Sequence, residues 1–206
     1  MSKTSPTRIN LLNQKKDLKT AQKGYKLLKD KRDGLMKKFM EVIKQTKNQR
    51  RIVEKELSFV FHNYLQASSI LDHRFIVTAL AGTGAKIKLK ADYHNLMSVP
   101  IPEINSSLEG NPLNYSYLET NGDLDTAINR LAEILPSLMK LAEMETTIEN
   151  LSLEIEKTRR RTSALEHKMI PTLEKNIRFI SDRLEEQGRE TIVRTMRIKA
   201  MVTANE

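Results

Sequence analysis

The chain has 206 residues and a net charge of +9, with aromatics at 5%, charged residues at 30%, 7 glycines, no cysteine and no tryptophan. These proportions argue against a large aromatic-rich core, exclude disulfides and thiolate metal sites, and favour long helices. No apolar run approaches the length of a membrane span and the N-terminal Met-Ser-Lys-Thr-Ser-Pro lacks the apolar core of a signal peptide, so the sequence reads as a soluble, intracellular protein.

Ser5 followed by Pro6 predicts a helix start, because the hydroxyl can accept from an orphan N–H and proline has none to lose at the first helical position. A heptad follows. Leu11, Leu18, Tyr25, Arg32, Phe39, Thr46 and Val53 fall seven apart, with Gln14, Ala21, Leu28, Leu35, Val42 and Gln49 between them. Alternating steps of three and four mark a coiled-coil seam, and a seven-residue repeat implies a left-handed supercoil. Polar seam residues weaken packing but restrict register. Beyond Val53 the steps to Leu57, Val60 and Tyr64 form a stutter.

This first arm also carries the charge. Met1 to His62 holds 17 Lys+Arg against 6 Asp+Glu, whereas residues 63–123 hold 4 against 6 and residues 124–206 hold 14 against 14. The lysines, among them Lys15, Lys16, Lys19, Lys23, Lys26 and Lys29, admit three readings: phosphate contacts on a nucleic acid, a solvated helix face, or a surface facing an anionic protein collar without gripping it. Aromatics for base stacking are scarce.

Near TALAGTGAKIKLKADYHNLMSVPIPEI the helical pattern fails. Gly82 and Gly84 break it, and Ile87, Leu89 and Ala91 alternate with Lys86, Lys88, Lys90 and Asp92 at strand period. Pro100 and Pro102 confine the next extended piece to an edge or a loop. The segment NSSLEGNPLNYSYLETNGD is turn-rich. The expected organisation is an N-terminal arm at 1–81, a small irregular or β-hairpin insert at 82–122, and a C-terminal arm at 123–206. Asp123 is the expected N-cap of the second arm, whose seam runs Leu141, Met144, Ile148, Leu151, Ile155, Thr158, Thr162, Leu165, Met169, and later Ile180, Leu184, Gln187, Thr191, Arg194 and Ile198. Pro136 and Pro171 each remove a helical hydrogen bond. The expected fold is mainly α: a long antiparallel two-helix left-handed coiled coil, with both termini at one tip and the insert at or toward the other end.

Catalytic constellations are missing. AGTGAK lacks the G-x-x-x-x-G-K-[ST] frame and reads as a helix terminator, and His62, His73, His94 and His167 have no partner histidine at metal-binding spacing. Neither a cofactor nor a metal site is expected.

The stretch PTRINLLNQKKDLKTAQKGYKLLKDKRDGL resembles the N-terminal signature of the D subunits of the V-type and archaeal-type rotary ATPases. The far end, SALEHKMIPTLEKNIRFISDRLEEQGRETIVRTMRIK, is similar to the same family's pattern, with Ser163 where asparagine is common. The resemblance covers both arms and leaves the insert weakly determined. It implies a non-catalytic central rotor axle that transmits torque between a hexameric head of catalytic A and B subunits and an ion-translocating membrane ring. It implies further partners in the small F subunit of the stalk and a ring-connecting subunit of C/d type, with no nucleic acid, nucleotide or direct membrane insertion. The location would be cytoplasmic, peripheral to the membrane, in a bacterium or archaeon. Under that reading Pro6, Thr7, Arg8, Arg194, Arg197 and Lys199 share the tip inside the head as contacts. For Arg194, Arg197 and Lys199 an alternative is complementarity to the helix C-terminal dipole; Arg8, at a helix N-terminus, has no such explanation. The alternative function is a basic coiled-coil protein that binds nucleic acid or tethers a complex.

Overall fold

A computed structural model describes residues 5–82, 84–114 and 120–204. Its elements are α1 (Arg8–Ile70), α2 (His73–Ala81), β1 (Lys86–Leu96), β2 (Val99–Glu109), α3 (Gly122–Ala164), a π-helical turn (Leu165–Met169) and α4 (Ile170–Ala204). The fold is mainly helical, as expected, with a two-stranded antiparallel hairpin in the middle of the chain. Residues 115–119 of the turn-rich segment lie outside the described residues. Two compact units are distinguished, one of Met1–Asp33 with Glu156–Glu206, the other of Gly34–Ile155.

In the first unit α1 begins two residues later than Ser5-Pro6 suggests. Thr7 is the cap: its Oγ1 accepts from Asn10 N–H at 3.2 Å and its carbonyl from Leu11 N–H at 3.0 Å. Ser5 is instead held by the Asn10 side chain, whose Nδ2 donates to both the carbonyl and Oγ of Ser5 at 2.9 Å. A threonine whose hydroxyl reaches the third helical N–H satisfies a donor that Ser5 is too distant to serve.

The buried residues of this unit are Ala21 on α1 and Thr158, Thr162, Leu173 and Ile180 on the returning helices. Leu11, Leu18, Tyr25, Leu28, Leu165 and Leu184 are half-buried. Thr162 is tolerated because its hydroxyl donates to the Thr158 carbonyl at 2.8 Å, leaving its methyl group to pack. Met169 departs from the expected seam, being 49% exposed. Its displacement follows from Pro171, which has no N–H to continue the α ladder. The chain widens into the π-turn, where Ile170 N–H bonds Leu165 O five residues back. A wider turn rotates the following residues out of the α register, so Met169 leaves the packed face and Leu173 occupies it.

In the second unit α1 and α3 run antiparallel. Leu35 and Val42 of α1 cluster with Leu151 and Ile155 of α3, flanked by Phe39 and Ile148; farther along, Arg50 pairs with Glu145 at 3.7 Å, and Val60 packs with Ala127 and Ile134. Val53 is buried on the same α1 seam. Thr46, another buried seam residue, donates its hydroxyl to the Val42 carbonyl at 2.9 Å. The first arm is not one helix to residue 81: it breaks after Ile70, and Asp72 caps the separate α2 by accepting from Arg74 N–H at 3.1 Å. At the other side of the insert α3 starts at Gly122, with the Asn121 carbonyl accepting from Leu124 N–H, so Asp123 lies in the first turn instead of at the cap.

β1 and β2 pair from Lys86↔Glu109 to Leu96↔Val99, joined by the two-residue turn Met97-Ser98 with φ of 53° and 70°. Such a turn makes Leu96↔Val99 a hydrogen-bonded pair, and alternate pairs along the ladder follow it. Pro100 and Pro102 therefore fall where the backbone faces away from β1, which is why two prolines fit in a strand. That outward edge meets α3: Ile104 N–H donates to Glu143 Oε2 at 3.3 Å and the Pro100 carbonyl accepts from Asn150 Nδ2 at 3.0 Å. Val99 belongs to the cluster of Leu35, Val42, Leu151 and Ile155. The insert thus folds back along the helix pair, and does not lie out toward the end of α1. Gly34 permits the approach, since a Cβ there would stand 3.1 Å from Met97 Cε.

Candidate functional site

The residues expected at a shared tip all belong to the first unit. Pro6 is half-buried, Thr7 is occupied in capping, and Arg8 is exposed at the first position of α1. Arg194, Arg197 and Lys199 lie on a segment of α4 in which every residue from Glu185 to Val202 is exposed. At ~1.5 Å per residue this bare segment is roughly 27 Å long. Among the described residues Leu184 is the last with partial cover, so the expected continuation of the seam through Gln187, Thr191, Arg194 and Ile198 is exposed. The reason is length. The returning helices have more residues beyond the packed region than α1 has before it, so α4 outruns its partner.

The bare segment is not a polar tail. Ile192, Val193, Met196, Ile198, Met201 and Val202 are 48–67% exposed. Ile192 and Met196, four apart, make one stripe; Ile198 and Val202 make another on a different face, because six residues turn the helix through about 240°. A helix apolar on more than one face is ordinarily surrounded by other protein. Arg194 is engaged with Glu190 at 3.4 Å, both side chains more than half exposed, a pairing that adds little stability and can be exchanged for a partner's carboxylate.

Two further surfaces were not anticipated from the sequence. In the first unit the π-turn opens an apolar groove of about 640 Å³ lined by Leu28, Ala164, Leu165, Met169, Thr172 and Leu173, with Arg161 and Lys168 also bordering it. In the second unit Phe59, Phe61, Leu65, Ile70, Phe75, Val77, Leu80 and Leu131, on α1, α2 and α3, are 39–69% exposed. Arg130 lies over the Phe59 ring at 5.9 Å. The signal for this second surface was present in the sequence, since Phe59 and Phe61 fall off the heptad seam. Apolar residues off a seam on a long helix are exposed unless a third element covers them. No helix among the described residues is long and apolar enough to cross a membrane.

Paired antiparallel helices with apolar side chains left uncovered define a scaffold that binds other proteins. The family model for the ATP synthase D subunit matches residues 10–200. The chain is 41% identical over 205 residues to the V-type ATP synthase D subunit of Enterococcus faecalis, covering 98% of this chain and 97% of that protein. It is 41% identical over 203 residues to that of Fusobacterium nucleatum (97% and 96%) and 42% identical over 203 residues to that of Clostridium botulinum (96% and 94%). The chain belongs to the family of ATP synthase D subunits. It is a central-stalk component of a V-type rotary ATPase, and this reading is supported over that of a nucleic-acid-binding coiled coil.

Proposed function

We propose that this chain is the rotor axle of its complex, a non-catalytic component that carries torque between a head of catalytic A and B subunits and an ion-translocating membrane ring. The observation that carries this reading is the bare apolar segment of α4 from Glu185 to Val202. A segment apolar on two faces, with Arg189, Arg194 and Arg197 interspersed, suits the inside of a protein collar. Apolar contacts there exclude water, and the cations interact in turn with successive subunits of the head. Pro6, Thr7 and Arg8 contact the same collar nearer its mouth. The apolar surface of Phe59, Phe61, Phe75 and their neighbours suits the ring-connecting subunit of C/d type, and the middle region, including the insert, suits the small F subunit. The protein works in the cytoplasm, peripheral to a bacterial membrane.

The test is reconstitution. The full chain is mixed with the catalytic subunits and the small F subunit, and size exclusion is followed by ATPase turnover. Co-elution with turnover raised above that of the head alone is the expected result. A chain that stays out of the complex, or enters it without changing turnover, would overturn the axle reading.

A further inference from the structure

The hairpin has a second edge that no other element among the described residues uses. Because Leu96↔Val99 is a hydrogen-bonded pair, the even-numbered residues of β1 exchange bonds with β2, while Ile87, Leu89, Ala91, Tyr93 and Asn95 turn their N–H and C=O groups the other way. None of these five backbones bonds another element among the described residues, and every β1 side chain except Leu96 is exposed. Its two faces differ sharply. Ile87, Leu89 and Tyr93, 50–70% exposed, make one face apolar. The other carries Lys86, Lys88, Lys90 and Asp92.

Charge on the second face is unbalanced. Lys88 is compensated by Glu109 at 2.7 Å. Asp92, however, stands directly across the ladder from Glu103, and Lys90 stands opposite the neutral Asn105. Like charges facing one another across a pair of strands are destabilising, and no cation lies within ion-pair distance of Asp92 or Glu103 among the described residues.

We propose that this edge pairs with the same edge of a second copy of the chain, antiparallel and centred on Ala91, joining two hairpins into a four-stranded sheet in the unassembled protein. In that register each Lys90 faces Asp92 of the other copy, with Glu103 of that copy one strand beyond, and each Leu89 faces Tyr93. The contact is two-fold symmetric, so every favourable pair occurs twice. Lysines on an edge normally repel a second strand. Here every other in-phase register that pairs a lysine with Asp92 also sets lysine against lysine, so one alignment is selected. The proposal does not depend on the axle reading, because it concerns the chain outside the complex.

The full-length chain is examined by sedimentation velocity over a range of concentrations. The expected result is a reversible dimer. Lys90→Glu alone and Asp92→Lys alone each place like charges opposite and weaken self-association about tenfold, as follows from reversing two ion pairs; combining them restores it. Ala91→Pro removes an outward N–H at the centre without touching the β1–β2 ladder, so it abolishes the dimer at unchanged melting temperature. A chain that remains monomeric, or a dimer indifferent to all four variants, would overturn the proposal, the latter by placing the contact elsewhere, such as on the bare end of α4.

Discussion

The side-chain amide of Asn150 donates to the carbonyl of Pro100 at 3.0 Å, fastening the outer edge of β2 to α3 fifty residues along the chain. Removing it by Asn150→Ala is expected to cost about 1 kcal/mol, the ordinary net value of one such bond. Thermal unfolding together with limited proteolysis at the hairpin measures this. An unchanged melt with an unchanged cleavage pattern would show that Val99 and Ile104 N–H hold the hairpin without it.

Leu151 is fully buried between α1 and the hairpin, whereas Leu153, two residues on, is 60% exposed. Leu151→Ala is expected to destabilise by about 2–5 kcal/mol, the range for emptying a packed leucine site. Leu153→Ala should remain within about 0.5 kcal/mol of the parent. Urea unfolding of the two variants side by side checks the assignment, and similar midpoints would contradict it.

Gln14 sits on the α1 seam with its Oε1 fully buried and unpaired in the structure. An unsatisfied buried acceptor costs roughly 1–3 kcal/mol, so Gln14→Leu is expected to raise the melting temperature by several degrees. A fall in stability would mean that the amide finds a partner in solution.

How legible these features were in the sequence differed by element. The heptad in α1 was visible because apolar residues recur at one angle on a helix, and Leu35, Val42, Val53, Leu151 and Ile155 are buried where that periodicity places them. Met169 was not separable from them by spacing, since the π-turn that rotates it away depends on how the chain relieves Pro171. The break at Asp72 was equally hidden: Leu71 and Asp72 interrupt no hydrophobic period, and the cap is recognisable from its hydrogen bond to Arg74.

Met97 and Ser98 occupy the left-handed region that glycine adopts most readily in a two-residue hairpin turn. Ser98→Gly is expected to relieve about 0.5–1 kcal/mol of backbone strain, with a corresponding rise in the hairpin's resistance to protease. Met97 is different, because its side chain covers Gly34. Loss of stability in Ser98→Gly would indicate that the serine hydroxyl contributes more than the strain costs.

Ending the chain after Gly188 removes most of the segment from Glu185 to Val202, every residue of which is exposed. The melting temperature of the isolated protein should move by no more than a degree or two, while stimulation of ATP hydrolysis in the reconstituted complex should fall severalfold. A truncated chain that melts much earlier would show the segment to be structural. One that stimulates fully would remove it from the head contact.

The sequence by itself determined the helical class, the two arms, the position of the strand-forming insert and the seam that joins α1 to α3, because periodicity, proline, glycine and charge act locally along the chain. Tertiary structure decided what local signals do not encode. The return of the hairpin onto Leu35 and Gly34 needs contacts between residues far apart in sequence. So does the fastening of β2 to Glu143 and Asn150. The overrun of α4 past the start of α1 depends on the register between two helices, and it is this register that leaves Arg194 and Arg197 on a bare helix while Arg8 stands at the start of a packed one.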